Sequence, residues 1–125
     1  MKNNIIMFLL FSILISCSQD RKANASIEVD KEVNIGNVKL FDTISKTIEL
    51  SNTSNVDLRI KQIKTSCGCT IVSLKDSTLK PRETTEVKIQ FVADSENIGI
   101  IKKSVVIEAN TNPNFTVVYL NGLVK

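Results

Sequence analysis

The sequence predicts an all-β sandwich of about seven strands, and three observations carry that prediction. Apolar residues recur with the two-residue period of a strand, and no segment sustains the 3.6-residue period of an amphipathic helix. Runs of this kind return about every 8 to 12 residues. The gaps between them are clusters of Asn, Ser, Gly and Pro, the residues of turns.

The elements follow in order. Ile27-Glu28-Val29 alternates, as does Val33-Asn34-Ile35 until Gly36-Asn37 bends the chain. Thr43 to Leu50 sets Ile44, Ile48 and Leu50 on one face and Thr43, Ser45, Thr47 and Glu49 on the other. Ser51 to Asn55 is a turn cluster, after which Val56, Leu58 and Ile60 alternate with Asp57, Arg59 and Lys61. Pro81 cannot donate to a ladder and marks a break after Leu79-Lys80. Thr85 to Val92 is the cleanest strand, with Val87, Ile89 and Phe91 facing in and Glu86, Lys88 and Gln90 facing out. Ser104 to Ala109 holds Val105, Val106 and Ile107 together, the pattern of a central strand covered on both faces. Asn110 to Asn114 turns the chain, and Phe115 to Val124 closes it as the last strand.

The first residues are of another kind. A basic start, Met1 to Asn4, leads into an apolar run from Ile5 to Ile15. Eleven residues fall short of the roughly 20 that cross a hydrocarbon core in a helix, but they suit a secretory signal. Leu14-Ile15-Ser16-Cys17 resembles the bacterial lipobox. That resemblance implies cleavage before Cys17, a covalent lipid on its thiol, and a mature protein tethered to a membrane outside the cytoplasm, periplasmic or surface-facing. The expected organisation is a lipoprotein signal peptide over 1–16, a lipidated tether over 17–26 and one sandwich domain over 27–125. Removing 1–16 takes one lysine, leaving 15 basic and 13 acidic side chains and a net charge of +2. Those charges are scattered, which argues against nucleic acid, whose binders concentrate Lys and Arg on one face.

Five stretches resemble one family. They are Val33-Asn34-Ile35-Gly36-Asn37-Val38, Leu50-Ser51-Asn52-Thr53, Thr65-Ser66-Cys67-Gly68-Cys69-Thr70, Leu79-Lys80-Pro81 and Asn121-Gly122-Leu123-Val124. Together they are similar to a family of bacterial envelope domains of unknown function with a Cys-Gly-Cys-Thr signature, common in lipoproteins of Bacteroidetes. The resemblance spans about Lys31 to Val124 and implies an immunoglobulin-like antiparallel sandwich of the major sperm protein and ASH kind. Ser54, Asp57 and Arg82 depart from the family pattern, Arg82 standing where Gly usually follows Pro. All three are turn positions.

The Cys67-Gly68-Cys69 stretch admits three readings. Fully extended, the two cysteines share a face with Cα atoms about 6.7 Å apart, at the outer limit for a disulfide, and a kink at Gly68 would bring them closer. The leading reading is structural: packed thiols or a local disulfide. A metal site is the second: the chain has no His and both Met residues precede Cys17, so Cys67 and Cys69 would have to hold Cu(I) by themselves, and zinc would need two oxygens besides. The third is redox exchange, which wants a helix N-terminus or a cation beside a thiolate; only Lys64 lies close in sequence.

Other classes are disfavoured by composition. General acid–base chemistry lacks His, and Asp42, Glu83 and Asp94 lie in predicted loops without a spaced acidic-loop motif. Glycan stacking wants exposed Trp and Tyr, and the chain has no Trp and one Tyr, Tyr119. Asp42-Thr43-Ile44 and Asp76-Ser77-Thr78 resemble the short O-glycosylation motif of Bacteroidetes. The expectation is a lipid-anchored, non-catalytic binding or structural module with an envelope protein as partner and no cofactor beyond the lipid on Cys17. The alternative is a thiol-based Cu(I) or redox accessory that uses the Cys-Gly-Cys pair.

Overall fold

Alternation sorts the strands of a computed structural model into two sheets packed face to face. The structure describes residues 22–125, so the signal-like segment 1–16, Cys17 and the start of the tether lie outside the described residues. The strands are β1 (Ile27–Val29), β2 (Glu32–Val38), β3 (Thr43–Asn52), β4 (Leu58–Thr65), β5 (Thr70–Leu74), β6 (Thr78–Leu79), β7 (Thr84–Val92), β8 (Gly99–Ala109) and β9 (Phe115–Val124). The first sheet runs β1-β3-β7-β5 and the second β2-β9-β8-β4-β6.

The core lies between them. On β7, Thr85, Val87, Ile89 and Phe91 are buried while Thr84, Glu86 and Lys88 are exposed, as the alternation requires. Each large apolar side chain so buried stabilises the fold by about 1.5–3 kcal/mol. Leu50 and Ile48 of β3, Leu58 of β4, Ile101, Val105 and Ile107 of β8, and Val118 and Leu120 of β9 complete the layer.

The structure refines the expected fold in three places. Nine strands stand among the described residues where about seven were expected, because β5 and β6 carry no clear alternation: Ile71 is apolar yet exposed on the outer face. Val106 is not covered on both faces, since it points outward and stays half-buried opposite Val117. Its partner across the ladder, not a second layer, accounts for its apolar character. Lastly, one pair is parallel in an otherwise antiparallel fold. The N-terminal strand pairs with β3 as β1, crosses between the sheets at Asp30 and Lys31, and then pairs in parallel with β9 as β2.

That crossing depends on small residues. Ala25, within the stretch expected to be tether, is buried, bridges to Thr111 and donates its N–H to Asn110 O at 3.0 Å. The β2 register shifts between Asn34 and Gly36, where Gly36 adopts φ +70° and donates to Asn34 Oδ1 at 2.7 Å. Opposite it, a Cβ on Gly122 would lie 2.5 Å from Ile35 Cγ1 and 2.9 Å from Gly36 O. Two of the five signature stretches are therefore the two sides of one close contact.

Candidate functional site

The Cys-Gly-Cys turn carries the chain from the second sheet to the first. Thr65 ends β4 opposite Val105, and Ser66 donates to Ser104 O at 2.9 Å while Ser104 donates back to Ser66 Oγ at 3.0 Å. The carbonyl of Cys67 accepts from Thr70 N at 3.3 Å and from Thr65 Oγ1 at 3.1 Å. The carbonyl of Cys69 accepts from Val92 N at 2.8 Å, which fixes the start of β5 on β7. Cys67 and Cys69 are joined by a disulfide with Cα atoms 5.3 Å apart, and both side chains are half-buried. Gly68 reaches this geometry without a left-handed φ, and a Cβ there would meet no atom within 4 Å. The bend is the turn closed by Thr70.

Thr70 supplies the underside of the site. Its side chain is 4% exposed, and its Oγ1 lies 3.8 Å from each of the two sulfurs. Because the covalent loop spans so few residues, the disulfide restricts the unfolded chain little, about 1.5 kcal/mol by the chain-entropy relation. Hydrogen bonds on both sides of the turn share the task of holding it. No group of three or more Cys, Asp or Glu side chains placed to hold a metal occurs among the described residues.

The outer strands set which backbone groups the sandwich leaves unpaired. Along β5, Ile71 and Ser73 direct their backbone groups at β7, in step with the flanking Cys69 and Lys75, whose bonds (Val92 N to Cys69 O and Lys75 N to Glu86 O) set that parity. By the two-residue period, Val72 and Leu74 direct theirs the other way, where no strand lies among the described residues. The five residues of β5 carry no charge, no proline and no register shift. The other outer strands are blunted. β1 has three residues with Glu28 at its centre, β6 has two, and β2 is bulged at Gly36. The uncovered part of β4 holds Lys61 and Lys64 and a register shift.

On the opposite flank a groove of about 540 Å³ lies between β1 and the first half of β9, lined by Ile27, Val29, Phe115, Val117 and Tyr119. The chain closes both its ends: Ala25 sits beside Thr111, and Lys31 O accepts from Tyr119 N at 2.7 Å.

The expected loop carboxylates do not gather. Asp42 and Asp94 flank Ala93, whose N–H donates to Asp42 O at 2.9 Å, while Glu83 lies near Asn52 and accepts from Lys80 N at 2.8 Å. Asp94 caps the 3-10 turn Ser95–Asn97. Thr43 and Ser77, the hydroxyls of the two short glycosylation-like motifs, are exposed. Phe115 and Tyr119 share the outer face of the second sheet, and the Lys102 ammonium sits 4.3 Å from the Tyr119 ring centre.

Sequence reasoning placed Asn52 in a turn cluster and missed its burial. It is 1% exposed; its Nδ2 donates to the carbonyls of Val56 at 2.8 Å and of Leu79 and Lys80 at 3.1 Å, and its Oδ1 accepts from Ser54 N and Oγ. One amide thus joins β3 to two loops, and its place in the signature-like Leu50-Ser51-Asn52-Thr53 stretch was the available signal. Arg82, the departure from Gly after Pro81, adopts φ +68° and donates from Nη1 to Thr53 O at 2.8 Å.

A family model described as a protein of unknown function (DUF1573) matches residues 27–124. No curated protein matches the chain significantly. Among solved structures, a Porphyromonas gingivalis W83 protein of unknown function is similar at TM-score 0.72 and 17% identity, over 79% of this chain and 46% of that one. The ASH/PapD-like domain 7 of human CEP192 is similar at TM-score 0.63 and 12% identity, over 82% of this chain and 87% of that one. The secreted serine protease VesC from Vibrio cholerae is similar at TM-score 0.59 and 10% identity, over 84% of this chain. This chain spans about half of the Porphyromonas protein and 24% of VesC. Likenesses at these identities establish the fold: an immunoglobulin-like, PapD-like sandwich.

Proposed function

This chain belongs to the DUF1573 family of proteins of unknown function, and we propose that it works as a non-catalytic binding module of the bacterial envelope, lipid-anchored through Cys17, with a protein partner. The observation that carries the non-catalytic reading is where the buried polar side chains go. Asn52 joins loops, Thr70 underlies the Cys-Gly-Cys turn, Thr85 accepts from Asp76 N at 3.2 Å and Asn97 donates to the cap residue Asp94. Each holds backbone or a turn, so the interior polar chemistry of this sandwich is scaffold.

The anchor rests on the basic start, the apolar run and the lipobox-like Leu14 to Cys17. Two measurements test the two halves. Radiolabelled palmitate should label the wild type and not Cys17→Ala; equal labelling of both overturns the anchor. Affinity purification of the full-length protein from cross-linked envelope membranes should return one reproducible protein; retrieval of none overturns the module reading.

A further inference from the structure

We propose that the open edge of β5 is the docking site for an extended segment of another protein, apolar at every second residue, which joins the first sheet as its fifth strand. This rests on the binding-module reading and names its site and the chemistry of its partner.

The choice of edge follows from what the others lack. A strand edge left uncharged, regular and uncovered is a template for pairing, and folded proteins blunt such edges unless they are used. Here β1 is short and acidic, β6 spans two residues, β2 is bulged and β4 carries lysines beside its register shift. The groove beside β9 also holds unpaired backbone, at Phe115 and Val117, but the chain itself stops both of its ends, at Ala25 and at Lys31. Among the described residues, a through-running strand fits only β5.

The partner's pattern follows from the side chains of β5. Val72 and Leu74 pack against the core but stay half-buried, because no strand lies beyond them in the sheet. A neighbouring strand puts every second side chain on that inner face, so apolar residues at alternate positions would complete their cover. The opposite face of β5 shows Ile71 and Ser73, both exposed and both neutral, so the partner's outward side chains meet no charge on this strand. The backbone groups of Val72 and Leu74 supply the hydrogen bonds, the mode by which sheet edges bind extended peptides. A second copy of this chain is the poorer occupant, because its own β5 offers only two apolar side chains at such positions, Val72 and Leu74.

The test is residue-resolved amide exchange on the isotope-labelled full-length protein in detergent micelles. The probe is a synthetic peptide of alternating threonine and valine, flanked by lysines. With about 1 mM probe, exchange at Val72 and Leu74 should slow about tenfold or more, while Ile27 and Val117 stay unchanged. Val72→Pro should abolish the effect. It removes a donor that faces solvent and breaks no ladder bond, and Leu74→Pro serves in its place if that variant fails to fold. Unchanged exchange at Val72 and Leu74 overturns the proposal, as does slowing at Ile27 and Val117 instead. Slowing that grows with protein concentration and no probe gives the edge to a second copy and also overturns it. An envelope partner that binds but leaves Val72 and Leu74 unprotected overturns the edge assignment and leaves the module reading standing. A probe that protects β5 when no envelope partner is retrieved does the reverse.

Discussion

Along the flank formed by β1, β2 and β9 the chain seals both ends of the groove it leaves beside β9, whereas along the flank formed by β4, β5 and β6 it leaves the edge of β5 open along its length. Sealing is done by residues with little or no side chain. Ala25 fits beside Thr111, and Gly122 lets Ile35 and Gly36 approach to a distance that no Cβ would permit. The open flank is held by different means: a disulfide across one residue, a hydrogen bond from Ser66 N and hydrogen bonds accepted by the carbonyls of Cys67 and Cys69. The first arrangement is intolerant of added volume and the second leaves room outside it. Close packing of small residues and a free strand edge thereby lie on opposite flanks of the same sandwich.

Substitutions should reproduce that division. Gly122→Ala is expected to have the largest effect, a loss of about 3 kcal/mol, because Ile35 and the backbone of Gly36 must both shift. Urea unfolding that moved by less than half of this would mean the sealed flank is softer than its contacts imply. Ala25→Asp should follow at about 2 kcal/mol, since it places a charge in a buried site. The same unfolding curve checks it, and a neutral result would put Ala25 back in the tether. On the open flank, joint replacement of Cys67 and Cys69 by Ser should cost about 1.5 kcal/mol and preserve the fold. Loss of the native circular dichroism spectrum would instead make the disulfide indispensable to the crossing. Smallest of all is Ile71→Lys, expected to change stability by less than about 0.5 kcal/mol because its side chain is 55% exposed. A larger change in melting would show that the outer face of β5 is covered.

How much of this was legible depended on which physical signal each stretch carries. Thr85 to Val92 was readable residue by residue because its inward positions are all apolar or small, and it is central in its sheet. Strand β5 was not, because Ile71 faces water and Thr70 faces the core, which inverts the alternation that marks a strand. What sets this edge apart from the other outer strands is different: it is uncharged and regular. The parallel pairing of β2 with β9 left no local trace, since parallel and antiparallel strands share one period. Its only sequence sign was a pair of glycines far apart, Gly36 and Gly122, whose contact becomes visible once the register is known. The turn at Cys67 to Cys69 could be named from spacing, but not the Thr70 hydroxyl beneath both sulfurs, because a buried threonine looks the same in sequence as an exposed one. Asn52 was hidden for that reason too.

The parallel seam between β2 and β9 also decides how the domain would respond to force. The chain enters beside Asn110 at one end of the sandwich and leaves beside Val38 and Leu40 at the other. A pull between those ends drags β2 and β9 in opposite directions along their shared axis. The bonds between Glu32–Val38 and Tyr119–Val124 would then be sheared together instead of peeled one after another. A domain pulled between its two ends would meet its stiffest resistance along that seam.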